Sequence, residues 1–335
     1  MLSERNYVEY TELLREELIP AMGCTEPVAV ALCTAKAVQA LGEPFTSLRV
    51  GCSANIIKNV KSVIIPNTGG LKGIKAAALT GAIAGDPDKG MEVISAISDE
   101  ERQQIALAHR NPDICAVYHL KSPHMLHVLV EVTGAHHTAE AEIRDGQAML
   151  DIRSGGCSSP DCAEALVIPS LKSILAYANT VALDTIIPIL KPQVEYNLNI
   201  AEEGMRTGYG LRFGEALLNG DGALDRVRAF TAAASEARMD GCPLPVIINS
   251  GSGNQGIATS VPVIVYCREN GISEERMYRA LVFANLLTIY QKGYIGRLSA
   301  FCGAVSATCA SAAAITYLEG GTLQQIEGTI CNALA

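Results

Sequence analysis

The apolar positions of this chain follow two different rhythms. From Tyr7 to Leu18 they recur at helical spacing, with Tyr10, Leu13, Leu14 and Leu18 on one face. Val28–Leu41 is an alanine-rich apolar run with no breaker before Gly42, which predicts a second helix. After Gly42 the runs become short and β-branched. Leu48–Cys52 predicts a strand, and Ser62–Ile65 ends at Pro66-Asn67-Thr68-Gly69-Gly70, a strong loop signal. Lys72–Ala84 predicts a helix closed by Gly85-Asp86-Pro87, and Met91–Ile97 and Asp99–His109 predict two more. Ile114–Leu120, His127–Thr133 and His136–Arg144 read as strands, the last two joined by a tight turn at Gly134.

Arg153–Asp161, with Gly155-Gly156 and Ser158-Ser159-Pro160, reads as a linker. Beyond it the pattern is almost wholly helical, over Ala163–Ala178, Val181–Ile189, Gln193–Leu218, Ala223–Met239, Thr259–Glu269, Glu274–Lys292, Ile295–Leu318 and Leu323–Leu334. The expected fold class is therefore α+β. Residues 1–41 and 155–335 form a large helical body built from both ends of the chain, and 44–150 is an inserted α+β domain. The last helix runs to residue 335 with no Gly, Asn or Pro stop, so the complete protein is expected to extend further.

Composition narrows the classes. At 335 residues, two domains are the prior. Hydrophobic residues make up 49% but aromatics only 5%, so the core must be built from Ala, Val, Ile and Leu. A net charge of −9 with no long basic run argues against nucleic acid and anionic membrane partners. The polar N-terminus offers no signal peptide, and eleven cysteines without one point to a reducing, cytoplasmic setting. Leu298–Leu318 is too weakly apolar for a membrane span and reads as a buried helix. No C-x2-C pair is present, and neither Cys157/Cys162 nor Cys302/Cys309 matches a standard ferredoxin run.

Four stretches carry candidate chemistry. In Gly23-Cys24-Thr25-Glu26-Pro27 a thiol stands at a helix start, where the positive dipole end favours thiolate. The bland alternative is a small buried hydrophobe. Ser250–Gly256 presents flexible backbone N–H groups suited to phosphate or carboxylate, with Asn254 and Gln255 adding side-chain groups, or is a plain turn. Lys292 could neutralise a carboxylate, form a Schiff base with pyridoxal phosphate, or simply be solvated. All six histidines fall between His109 and His137, but no metal-type spacing accompanies them, and strand-end solvation explains most; His136-His137-Thr138 remains a candidate site lining.

Gly23–Pro27, Ser53–Asn59, Pro66–Gly70, Gly253-Asn254-Gln255-Gly256, Tyr294–Ser299, Cys302-Gly303 and the Val305–Leu318 stretch with Gly320-Gly321 together resemble the L-cysteine desulfidase family, related to the alpha chain of iron–sulfur L-serine dehydratases. The resemblance spans essentially the whole chain. It implies β-elimination from L-cysteine, or L-serine, to pyruvate and ammonia. It implies a [4Fe–4S] cluster held by three cysteines, with Cys309 the first ligand and the other two beyond residue 335; Cys331 lies near that region without matching the motif. It also implies Cys24 as the base, with Glu26 beside it, and substrate contacts from Thr25, Asn55, Asn59, Thr68 and Gly256. Chemical plausibility rather than a motif adds Asn254, Gln255 and Lys292 as holders of the substrate carboxylate. The expected partners are the small amino acid and, in a homo-oligomer, further copies of the chain. The competing readings are a pyridoxal-phosphate lyase and a non-catalytic chain that binds an amino acid or packs as a subunit.

Overall fold

The structure is a computed structural model that describes residues 2–144, 151–152, 170–218, 220, 222–295 and 303–334. The linker reading of Arg153–Asp161, with Cys157 and Cys162, lies outside the described residues, as do Gly296–Ser299 and Cys302. In chain order the described elements begin with α1 (Glu4–Glu17), β1 (Pro20–Ala21), α2 (Thr25–Leu41), β2 (Phe45–Cys52), α3 (Ala54–Val60), α4 (Gly73–Ala84) and α5 (Asp99–Arg110). Next come β3 (Cys115–His119), β4 (His127–Gly134), β5 (Thr138–Arg144), β6 (Asp151–Ile152), α6 (Leu171–Thr180), α7 (Leu183–Thr207), α8 (Phe213–Leu217) and α9 (Ala223–Met239). The chain closes with β7 (Val246–Ile247), α10 (Gly253–Glu269), α11 (Glu274–Ile295), α12 (Gly303–Leu318) and α13 (Leu323–Leu334). The fold class is α+β with a helical body. Among the described residues no single helix is long and apolar enough to cross a membrane.

The chain divides into two compact units. One comprises residues 22–164 and 239–243; the other comprises 1–21, 165–238 and 244–335. The sequence reading grouped residues 1–41 with the helical part. In the structure the division falls after Ala21, and α2 belongs with the α+β unit. The reason lies in its surface: α2 is apolar nearly all round, with Val28, Val30, Ala31, Cys33 and Ala37 fully buried, so it needs cover on several sides. The sheet strands β4 and β5 and the helix α4 provide that cover. Gly81 makes the α2–α4 approach possible, since a Cβ there would stand 2.1 Å from the Ala31 carbonyl oxygen.

The sheet of this unit has the order β3-β2-β4-β5-β6, parallel between β2 and β3 and antiparallel elsewhere. Alternation places Leu48, Val50, Val128, Val130, Val132, Ala141 and Ile143 inward. On the other face Arg49 pairs with Glu131 (2.7 Å) and lies over the Tyr118 ring. Two readings are corrected here. Met91–Ile97 is not a helix: a kinked 3-10 stretch, Pro87–Glu92, is broken by Gly90 at φ 53° and passes into turns. The polar stretch Ser53–Asn59 is mostly the short helix α3, whose Ile56 and Val60 are buried.

The helical unit packs α1, α6, α7, α10, α11, α12 and α13 around one apolar core. The centre is α11, whose Leu281, Phe283 and Leu286 are fully buried, flanked by Val263 of α10 and Ile186 and Leu190 of α7. Ala310, Ala313 and Ala314 keep α12 narrow enough to lie close to both α10 and α11. The ribbon β1–β7 pairs Pro20 with Ile247 and Ala21 with Val246. The sequence reading broke the helix between Ile189 and Gln193, around Pro192; the structure runs one helix, α7, through both Pro188 and Pro192, ended by Gly208 in the left-handed conformation. Packing of Ile186, Leu190 and Gln193 into the core outweighs the backbone hydrogen bonds that the prolines remove.

Candidate functional site

In the α+β unit the site-bearing residues gather at the start of α2. Gly23 takes φ 72°, and a Cβ there would come within 2.8 Å of the Pro66 ring, so glycine is required twice over. Cys24 is the N-cap of α2, half-buried, and its side chain makes no capping hydrogen bond. Its Sγ lies 3.6 Å from Met239 Sδ. Glu26 stands in the first turn, where a carboxylate suits the helix dipole, and its Oε1 accepts a hydrogen bond from Asn59 Nδ2 at 3.0 Å. Asn55 lies one turn before Asn59 on α3, so both asparagines share a face. The structure thus brings Cys24, Thr25, Glu26 and Asn59 together. Thr68 is buried and serves its own loop: its hydroxyl donates to the Ile65 carbonyl (2.7 Å) and accepts from Leu71 N–H (3.2 Å).

The other thiols of this unit have a different character. Cys33, Cys52 and Cys115 are buried, and burial pushes Cys52 up to about 12 and Cys115 up to about 11. Cys33 is raised further for the same reason, with Cys52 adding to it. They are core hydrophobes rather than nucleophiles. The histidines serve structure as well. His127, buried, has Nε2 2.6 Å from Glu142 Oε1 and Nδ1 2.7 Å from Ser122 Oγ. Arg144 also donates to Glu142 (2.7 Å). Burial pushes the Glu142 carboxyl up, but the bonds from Arg144 and His127 outweigh it and hold it below its ordinary range. His136 and His137 give their backbone N–H groups to Glu43 Oε1 at the β4–β5 turn.

In the helical unit the sequence-predicted loop is half loop and half helix. Ser250 (φ 48°) and Gly251 (φ 78°) turn the chain, and Ser252 caps α10 through Gln255 N–H. Beneath it runs a ladder of buried amides that sequence reasoning missed. Gln193 Nε2 donates to Asn285 Oδ1 (3.1 Å), and Asn285 Nδ2 returns a bond to Gln193 Oε1 (2.8 Å). Asn249 Nδ2 donates to Asn285 Oδ1 (2.9 Å), while Asn249 Oδ1 accepts from Ser250 Oγ (2.8 Å) and Gln255 Nε2 (3.2 Å). Gln255 Oε1 is left buried without a hydrogen-bond partner. Asn254 Oδ1 accepts from Nη1 of Arg238, a second missed residue that is only 2% exposed. Gly256 is buried where a Cβ would collide with the Ile247 carbonyl at 2.2 Å, which makes its role steric. Lys292 is buried near the end of α11. The only sequence signal for this ladder is polar residues placed at otherwise apolar helix positions, and that signal does not name partners.

Cys309 is buried on α12; Gln291 Nε2 lies 2.9 Å from its Sγ. Burial pushes its thiol up, the Gln291 bond works against this, and nearby Cys331 adds to it. A [4Fe–4S] cube takes three or four thiolates. Among the described residues no three Cys, His, Asp or Glu side chains gather as a metal site, so those residues by themselves do not fit the cluster that the resemblance implies.

Comparison with known proteins places these features in a family. The family model described as the serine dehydratase alpha chain matches residues 88–335. A UPF0597 protein of Lachnoclostridium phytofermentans is 44% identical over 340 residues, covering 98% of this chain and 81% of that protein. One from Treponema denticola is 43% identical over 357 residues (99% and 81%), and one from Fusobacterium nucleatum is 38% identical over 343 (96% and 80%). No solved structure matches the chain. With its match running from Asp88 through the Gly253–Gly256 turn, the amide ladder and Cys309, the chain belongs to the serine dehydratase alpha chain family.

Proposed function

We propose that this chain is a lyase acting on small β-substituted L-amino acids, with L-cysteine as substrate and pyruvate, ammonia and hydrogen sulfide as products. L-Serine, losing water in the same way, is the alternative substrate. The observation that carries the reading is Cys24, in a chain whose residues 88–335 match the serine dehydratase alpha chain: a half-buried thiol at the N-cap of a 17-residue helix that does not use it as a cap. A helix N-terminus stabilises thiolate, and a thiolate is a competent proton acceptor. In this reading Cys24 takes the α-proton, and loss of the β-substituent leaves aminoacrylate, which tautomerises and hydrolyses. Glu26, braced by Asn59, sets the polarity around the thiolate. Asn254, Gln255, Gly256 and Lys292 are the substrate-binding candidates of the helical unit.

The test is an anaerobic assay of pyruvate and sulfide released from L-cysteine, and of pyruvate from L-serine, after incubation with iron and sulfide, with iron and acid-labile sulfide measured in the same samples. Release from L-cysteine that falls in Cys24→Ala supports the reading. Release from neither amino acid, or turnover unchanged in Cys24→Ala, refutes it. An internal-aldimine band in the visible spectrum would favour the pyridoxal chemistry instead.

A further inference from the structure

Exposed large apolar side chains gather on one stretch of the helical unit. Leu211 is 80% exposed, Phe213 55%, Leu224 52%, Leu218 42% and Leu217 38%. Scattered singly, such residues are ordinary on a surface; a contiguous set marks a contact. The packing joins these five into a strip. Gly214 seats α8 on its neighbours, since a Cβ there would stand 2.6 Å from Ala233 Cβ and 3.0 Å from both the Ala229 carbonyl oxygen and Met205 Sδ. Glu236, near the far end of α9, holds the residues at the start of α8. α8 therefore lies lengthwise over α9, and Leu224 in the first turn of α9 extends the line.

The strip is held in place by polar bonds. Glu236 accepts the Leu211 N–H on Oε1 and the Phe213 N–H on Oε2, the latter at 2.8 Å. Between them Arg212 takes φ 62° and ψ 39°, the left-handed region that a residue with a Cβ seldom adopts. Its guanidinium turns back to Glu215, with Nε 3.0 Å from Oε1. A turn fixed in this way sets Leu211 and Phe213 outward, and backbone strain of this kind concentrates at functional surfaces.

Charge and area say what covers it. The chain carries a net charge of −9, so a second copy is repelled by most of its surface. Around the strip the charges cancel, because Glu203 pairs with Arg206, Glu215 with Arg212 and Asp225 with Arg228. At about 200 Å² per fully exposed large side chain, the strip offers roughly 500 Å² of surface and two strips roughly 1,000 Å² before the rim is added, which reaches the size of a specific interface. We propose that this strip is the two-fold interface of a homodimer, with α8 of one copy packed on α8 of a second and Phe213 as the central anchor. A two-fold contact sets each strip against itself, so a neutral rim meets a neutral rim. The contact is independent of the lyase chemistry.

The experiment is sedimentation equilibrium of the full chain up to about 300 µM, well above the micromolar dissociation constant that a contact of this size supports. Wild type should be dimeric, and the dimer should hold or tighten as salt rises, because an apolar contact with a neutral rim has no net attraction for salt to screen. Leu211→Asp and Phe213→Asp should each weaken it by about 100-fold, the change entering twice across the two-fold. Glu236→Ala keeps every apolar side chain but releases the turn, and should weaken it by about tenfold. Circular dichroism checks that each variant is folded, and Leu211→Asp, at the most exposed of the five, provides the readout if Glu236→Ala does not fold. Leu107→Asp, at an exposed position of α5 in the α+β unit, should leave the dimer unchanged. A monomeric wild type overturns the inference and gives the strip to an occupant other than a second copy. A dimer that folded Leu211→Asp and Phe213→Asp both leave intact overturns it as well, and puts the dimer contact elsewhere.

Discussion

The helices α2 and α10 begin in similar ways and are finished differently. Each follows a left-handed glycine, Gly23 at φ 72° and Gly251 at φ 78°. At α10 a serine caps the helix, and buried amides from α7, α11 and the preceding turn lock the loop from below. At α2 the N-cap is a cysteine that makes no cap bond, and it is half-buried rather than buried. At one helix start the cap hydroxyl is spent on the cap bond. The other leaves a thiol at the positive end of a dipole. Together they show that a helix N-terminus becomes chemically interesting when its cap residue is not consumed by capping.

The largest expected effect follows from that contrast. Cys24→Ala should lower kcat for L-cysteine by about 10²–10⁴-fold, the range for losing a general base. Its thermal midpoint should hardly move, because no cap bond is lost; a large drop in stability with little loss of turnover would erase the distinction between the two helix starts. Next comes Asn285→Leu, which strips partners from Gln193 and Asn249 at once. At about 1–3 kcal/mol per orphaned buried group, roughly 2–4 kcal/mol of stability should disappear in urea unfolding. The loss should be the same at pH 5 and pH 8, since every group in the ladder is neutral.

The α+β unit offers the opposite case, a charged buried cluster. Glu142→Gln should cost about 1–2 kcal/mol at pH 7 by weakening the bonds from Arg144 and His127. The folded-state pKa of Glu142 is lowered, so its contribution is fully present above the ordinary carboxylate range and is lost as pH falls through the lowered value. The gap between variant and wild type should therefore close below about pH 4, and a gap that persists there would show that packing, not charge, holds the cluster. The smallest effect is Ser252→Ala, expected to remove about 1 kcal/mol as a lost N-cap, read from the shift in urea midpoint. No change would mean that the amide ladder alone positions the α10 start.

Much of this protein was legible along the chain because the deciding interactions are local. Helical periodicity and strand alternation are set by neighbours a few residues apart, and α9 and α13 begin and end where the pattern placed them. Gly23-Cys24-Thr25-Glu26-Pro27 announced a helix start for the same reason, since caps and dipoles act within one turn. What the tertiary structure decided depends on partners far away in sequence. The membership of α2 followed from which surfaces could cover an all-round apolar helix. The continuity of α7 through Pro188 and Pro192 came from core packing that local propensity does not contain. Gln193, Asn285 and Asn249 are ordinary amides until helices bring them within hydrogen-bond distance across 92 and 36 residues of chain. Arg238 reads as one more helix cation until α9 delivers it, buried, to the first turn of α10. Hydrogen bonds act over about 3 Å, and only the folded chain determines which groups come that close.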